Sequence, residues 1–423
     1  MGRAARMASR GLVLALGLVL AADAAAQPGR TRTTATMRQR VYDKLSEASE
    51  LANADRPDEA IEVLREVEEI KDLSPYEKAQ LYTAVGYIEF TRDDLPASVR
   101  AYETVLAQGE ALPEALRAST LYTLAQLHFQ VEEYRKCVDE LREWMASSTN
   151  PGPEPYVLLA QAHYQLGEYR EGIEPVETAI SIARNRGRRV EESWWLLLRV
   201  LWYELDDRGK MLEILETLVR EYPRKEYWLQ LGALYGEVGD EAKRLAAYRV
   251  AYRQGFLDRE QEIVVLAQLL AQAEIPYRAG VVLAGALESG AIGETVENLR
   301  LLSQAWTLAQ EDRRAIVALR RAAELSDDGE LDARLADAHA NLAEWESVVE
   351  AARSALDKGV DAPGPVQLLL GMALFELGRF DDARSAFLTA RRSPESERAA
   401  TQWVNYVESE RSRLAELERS LRN

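Results

Sequence analysis

The sequence predicts an all-α solenoid: about ten helix-turn-helix repeats stacked in register and closed by a C-terminal capping helix. Three observations carry that expectation. Composition favours helix, with 47% hydrophobic residues and only 14 Pro and 24 Gly among 423 residues. A pattern of small and large apolar residues recurs at intervals of 33 to 39 residues. The recurring residue types are those that two closely packed helices need at their crossing.

The first element is not part of the array. Arg3, Arg6 and Arg10 precede an apolar run from Leu12 to Ala22, and Ala24-Ala25-Ala26 follows, so residues 1–26 read as a cleavable signal peptide. The run is shorter than the ~20 residues a membrane span needs, and the alternative to cleavage is retention as an anchor. Its removal takes Arg3, Arg6, Arg10 and Asp23 with it, and the formal charge goes from −18 to −20. Residues 27–40 (QPGRTRTTATMRQR) are basic, polar and aperiodic, and are expected to form a flexible leader.

Residues 41–395 hold the repeats. Ten starts can be laid at Val41, Ala79, Ala118, Pro153, Glu192, Lys225, Glu260, Val296, Gly329 and Gly364. Position eight is then small in nine repeats: Ala48, Gly86, Ala125, Ala160, Gly232, Ala267, Ser303, Ala336 and Gly371. Position twenty includes Ala60, Ser98, Cys137, Gly172, Ala279, Ala315 and Ala383. Two antiparallel helices approach closely only where both present little side chain. Position twenty-four is apolar throughout, from Leu64 and Tyr102 to Phe387, and fills the space beside the crossing. Position twenty-seven is mostly Ala, which lets the next repeat dock. Arg199 at position eight, with Met211 and Arg244 at position twenty, breaks the pattern and predicts a looser joint mid-array.

The last element, residues 396–423, is an amphipathic helix. Ala400, Trp403, Val404, Val407, Leu414 and Leu417 share one face, and Glu408, Arg411, Arg413 and Glu416 cover the other. Such a polar-backed helix closes the exposed end of a repeat stack.

Chemistry-bearing residues are sparse. His128, His163 and His339 all fall at position eleven, where other repeats carry Leu51, Tyr235 or Trp306, so they read as half-buried packing residues and not as metal ligands. Cys137 occupies a small-residue packing site and cannot form an internal disulfide. No GxxxxGK[ST], GxGxxG, GxSxG or HExxH pattern occurs. No catalysis, metal or cofactor is expected. The acidic balance repels nucleic acid, so the expected partners are proteins.

These positions resemble the tetratricopeptide repeat, most plainly in PVQLLLGMALFELGRFDDARSAFLTARRS from Pro365 to Ser393. The resemblance implies a right-handed superhelix whose first helices line a concave groove, with positions two, five, nine, twelve and thirteen pointing into it. This chain puts Tyr87 and Phe90, then Tyr122, Gln126, Phe129 and Gln130, then Gln161, Tyr164 and Gln165, and finally Tyr203 at such positions. Rings supply rigid apolar area and amides bond a peptide backbone, so an extended peptide is the expected ligand. The alternative is that some rings pack against neighbouring helices. The carboxylate clamp of chaperone-binding members is disfavoured, because position five carries Thr83, Tyr122, Val157, Leu196, Leu229 and Val264.

A finer resemblance runs over MRQRVYDKLSEA (Met37 to Ala48), NPGPEPYVLLAQAHYQL (Asn150 to Leu166), ELSDDGEL (Glu324 to Leu331) and QWVNYVESERSRLAELE (Gln402 to Glu418). These stretches are similar to periplasmic tetratricopeptide proteins found alongside TonB–ExbB–ExbD energy-transducing systems. The resemblance implies a soluble periplasmic adaptor without enzymatic activity or a membrane span after signal cleavage. It would assist outer-membrane transport by binding transducer components, of which a basic, Pro-rich TonB-type segment suits an acidic surface. The other role compatible with the repeats is a scaffold for envelope biogenesis, in polysaccharide export or outer-membrane protein assembly.

Overall fold

The computed structural model describes residues 36–422; the expected signal peptide and residues 27–35 of the expected leader lie outside them. Among the described residues there are 21 α-helices and no strand. The chain divides into two compact bodies, the first ending at Leu218 and the second starting at Val219. The division falls between Met211 and Arg244, two of the residues that break the small-residue pattern at position twenty.

In the first body α1 (Gln39–Asn53) packs on α2 (Pro57–Glu68), α3 (Pro75–Thr91) on α4 (Leu95–Leu106), α5 (Glu114–Gln130) on α6 (Tyr134–Ser147), and α7 (Glu154–Gln165) on α8 (Tyr169–Asn185). It continues with α9 (Glu192–Glu204) and with α10 (Arg208–Glu221), whose last three residues fall past the division. The second body pairs α11 (Lys225–Glu237) with α12 (Glu241–Arg253), α13 (Glu260–Gln272) with α14 (Pro276–Glu288), and α15 (Val296–Leu308) with α16 (Asp312–Glu324). Then α17 (Gly329–Asn341) pairs with α18 (Trp345–Lys358) and α19 (Pro363–Glu376) with α20 (Phe380–Ala390), before α21 (Glu397–Arg422). First helices also touch one another, α1 on α3 and α7 on α9 in the first body and α17 on α19 in the second.

The crossing inside each pair is set by positions eight and twenty-four together. A Cβ on Gly86 would stand 2.6 Å from the Tyr102 ring, one on Gly232 2.8 Å from Tyr248, and one on Gly371 2.5 Å from Phe387. Where position eight is Ala or Ser, position twenty-four is aliphatic: Ala48 with Leu64, Ala125 with Leu141, Ala267 with Leu283, Ser303 with Leu319. A ring therefore takes the volume that a missing methyl leaves. Position twenty adds a bond in one pair, where the Ser98 hydroxyl donates to the Gly86 carbonyl at 2.7 Å. Arg199 stays half-buried, and Arg244 lays its side chain over Gly236, whose Cβ would lie 3.0 Å from the Arg244 Cδ.

Each first helix ends the same way. Position fifteen is left-handed in all ten repeats: Asp55, Asp93, Glu132, Gly167, Asp206, Gly239, Glu274, Gln310, Ala343 and Gly378. The following N–H donates back to the carbonyl of position eleven at 2.8–3.0 Å, as from Glu133 to His128 and from Arg379 to Leu374. This closure satisfies carbonyls that the helix end would leave bare and turns the chain into the second helix. In several repeats the next side chain caps that helix, with Asp94 accepting from the Ala97 N–H at 2.9 Å and Asp240 from Lys243 at 3.0 Å.

Two end boundaries differ from expectation. The leader stops before residue 38: Gln39 and Arg40 already belong to α1, and Arg38 is tied down by Glu77. The Arg38 guanidinium donates to both Glu77 carboxylate oxygens (2.8 and 2.9 Å), and its backbone N–H adds a third bond at 2.9 Å. Glu77 also closes a capping box with Ser74 at the start of α3. At the other end, Ala400, Val404 and Val407 of α21 are buried and Trp403 stacks on Phe387 (centroids 5.3 Å, planes 12° apart). Leu417, expected on that face, is exposed. The 26-residue α21 outruns the 11-residue α20 beneath it, and only its first turns have support.

Candidate functional site

The expected groove residues lie on α3, α5, α7 and α9 of the first body. The structure does not treat them alike. Tyr87, Phe90, Tyr122, Phe129, Gln130 and Tyr164 are half-buried, Gln161 and Gln165 are exposed, and Tyr203 is the most open at 65%. Gln126 is a correction: it is 9% exposed, buried beside the Tyr122 hydroxyl to which it hydrogen-bonds. Its amide is held inside the helix pair and is not offered to a ligand.

The rings have neighbours within their own repeats. Phe129 meets Tyr134 edge-on (5.4 Å, 67°), Tyr164 meets Tyr169 (5.8 Å), and in the second body Phe375 meets Phe380 in the same way (5.4 Å, 69°). Each is a pair between positions twelve and seventeen, spanning the turn. Tyr122 packs on Trp144 of α6 at 5.1 Å, and its phenol is pushed to higher pKa chiefly by burial. Position twelve thus serves hairpin closure in these repeats. In the fifth repeat position seventeen is Arg208, which cannot form such a ring pair, and the Tyr203 ring stays open. The surface left accessible combines two exposed amides on α7, the free edge of Tyr164 and the Tyr203 ring on α9.

The histidines are more buried than half-buried, and each is tied to a carboxylate. His163 Nδ1 lies 2.8 Å from Glu168 and His339 Nδ1 2.7 Å from Glu344, in both cases the residue that opens the second helix. His128 Nδ1 pairs instead with Glu140 at 2.8 Å, leaving Glu133 and Glu103 at 3.5 and 3.7 Å from Nε2. Glu168 is held below the usual carboxylate range by Arg135 and then by His163, whereas burial raises Glu140. Cys137 is fully buried and burial pushes its thiol up to about 12, which leaves little thiolate at neutral pH. Among the described residues no group of His, Cys, Asp and Glu is arranged to hold a metal, and no helix is long and apolar enough to cross a membrane.

What recurs is therefore packing: a bare or methyl-sized position eight, a filling residue at twenty-four and a left-handed fifteen, in helix pair after helix pair. The fold is a solenoid of tetratricopeptide-like helix pairs. Residues 100–179 match a family model described as anaphase-promoting complex, cyclosome, subunit 3. A tetratricopeptide repeat protein from Parabacteroides merdae is similar over 63% of this chain and 99% of its own, at 15% identity and a TM-score of 0.38. The TPR2AB domain of yeast Sti1, solved as its pHSP90 complex, is similar over 60% of this chain and 98% of its own, at 15% identity and a TM-score of 0.33. MamA from Desulfovibrio magneticus RS-1 is similar over 43% of this chain and 96% of its own, at 13% identity and a TM-score of 0.34. The comparison with curated proteins returned no match. Stacked helix pairs of this kind present long surfaces of independently variable side chains.

Proposed function

We propose that this chain is a periplasmic scaffold that holds an extended, basic protein segment along α7 and α9 and so assists a TonB–ExbB–ExbD-type energy transducer in outer-membrane transport. The observation that carries the reading is the open row of Gln161, Gln165 and Tyr203 beside the half-buried Tyr164 ring. A peptide main chain leaving water needs partners for its N–H and C=O groups, and an exposed glutamine amide supplies both a donor and an acceptor. A formal charge of −18 favours a basic segment over an acidic one. The Arg-flanked apolar run from Leu12 to Ala22 supports export, and the similarity of Asn150 to Leu166 to transducer-associated repeat proteins supports the choice of partner.

A photo-crosslinking residue placed at Gln165 in living cells, followed by mass spectrometry, tests this reading. Recovery of TonB-, ExbB- or ExbD-type components is the expected result. Recovery of polysaccharide-export or outer-membrane-assembly components alone would replace it with the envelope-biogenesis scaffold.

A further inference from the structure

The second body carries an exposed face unlike the rest of the array. At position twenty-two, which points to solvent, the repeats carry Glu62, Arg100, Asp139, Glu174, Glu213, Ala246, Glu350 and Ser385, but Val281 and Val317 in two adjacent repeats. These valines are 40% and 59% exposed, and Tyr277 beside Val281 is 42% exposed. Helical periodicity puts Tyr277, Arg278, Val281, Gly285 and Glu288 on one face of α14, and Arg313, Val317, Arg320, Arg321 and Glu324 on one face of α16, so that arginines outnumber carboxylates there. The two faces adjoin: the Arg314 guanidinium lies 4.7 Å from the Trp306 ring centroid, 5.4 Å from that of Tyr277, and 3.4 Å from the Tyr277 hydroxyl.

Two features say what would cover it. Arg278, Arg313 and Arg320 have no carboxylate partner among the described residues, in a chain whose net charge is −18. A local cluster of unpaired cations against that background selects an anionic partner. Gly285 is the second feature. Alone among the described glycines it combines helical backbone with empty space where a Cβ would stand. A mid-helix glycine costs about 1 kcal/mol relative to Ala, and no neighbour inside this molecule requires it. It leaves a flat place, beside Val281, where another backbone can approach closely.

We propose that the exposed face of α14 and α16 is a second docking surface, which takes an acidic amphipathic helix of a partner protein. The partner's apolar stripe covers Tyr277, Val281 and Val317, its backbone crosses Gly285, and its carboxylates meet Arg278, Arg313 and Arg320. The surface is separate in sequence and in chemistry from the α7 and α9 row.

The test uses the full chain and a synthetic helical peptide with a Leu stripe and Glu on its other faces, read by fluorescence anisotropy beside otherwise identical Gln and Lys peptides. The Glu peptide is expected to bind about tenfold more tightly than the Gln peptide at low salt and to lose that advantage at high salt. Val317→Asp, at an exposed site that leaves the fold intact, should weaken it about tenfold, and Arg313→Glu with Arg320→Glu should favour the Lys peptide instead. Equal binding of Glu and Gln peptides, or full affinity in Val317→Asp, would overturn the proposal. So would light scattering that shows a dimer abolished by Val317→Asp, since the face would then belong to a second copy.

Discussion

The Tyr102 ring occupies the space where Gly86 has no side chain, with 2.6 Å between a Cβ there and the ring edge. The same relation joins Gly232 to Tyr248 and Gly371 to Phe387, whereas alanines at position eight face aliphatic partners. The repeat thus has two interchangeable solutions to one packing problem, and mixing them produces a clash. Gly86→Ala should cost about 1–3 kcal/mol by overpacking. Adding Tyr102→Leu, which recreates the Ala48–Leu64 arrangement, should recover part of that loss. Urea unfolding of both singles and the double gives the coupling; strict additivity would contradict the exchange.

The left-handed turn residue makes a second prediction. Ala343 has φ 54 at a position where Gly167, Gly239 and Gly378 carry the same conformation without a Cβ penalty. Ala343→Gly should raise stability by about 0.5–1 kcal/mol, and Gly378→Ala should lower it by a similar amount. Thermal unfolding checks both signs, and a destabilising Ala343→Gly would count against the account of helix closure.

Much of this packing was legible in the residues alone. Small side chains at positions eight and twenty mark a close crossing wherever they occur, because no other residue type lets two backbones approach. The turn was harder to see. Glu132, Glu274 and Gln310 are poor signals for a left-handed residue, and the closing bond runs between backbone atoms, so side-chain identity hardly reports it. The candidate site divides by the same logic. Tyr203 is exposed, whereas Phe129 and Tyr164 are drawn to Tyr134 and Tyr169 across the turn. A ring five residues before another ring, at the end of one helix and the start of the next, was the available signal. Gln126 was misplaced because a helical position fixes direction and not the depth of the neighbouring helix.

The Arg38–Glu77 contact predicts a pH dependence. Hydrogen bonds from Arg38, with smaller contributions from Ser74, hold the Glu77 carboxyl at about 2, below its ordinary value of 4.5. A folded pKa below the unfolded one contributes stability that is complete above pH 4.5 and disappears as pH falls through about 2. Glu77→Gln should therefore loosen the α1–α3 contact at neutral pH, and its deficit relative to wild type should shrink as pH falls from 4.5 to 2. Hydrogen exchange in α1 as a function of pH measures this; a deficit that stays constant with pH would contradict the assignment.

The ring pairs separate binding from folding. Tyr122→Ala removes the face that packs on Trp144 and should cost about 2–4 kcal/mol of stability. Loss of partner capture in that variant reports unfolding as much as binding. Tyr203→Ala removes an exposed ring and should leave the unfolding free energy within about 0.5 kcal/mol of wild type.

The most direct measurement is therefore calorimetric titration of the protein with a basic, Pro-rich peptide, in wild type and in Gln161→Ala/Gln165→Ala/Tyr203→Ala. Binding by the first and its loss by the second, at unchanged helical content, is the predicted result. Equal affinity in both would place the partner elsewhere and contradict the assignment of the open α7 and α9 row as the binding surface.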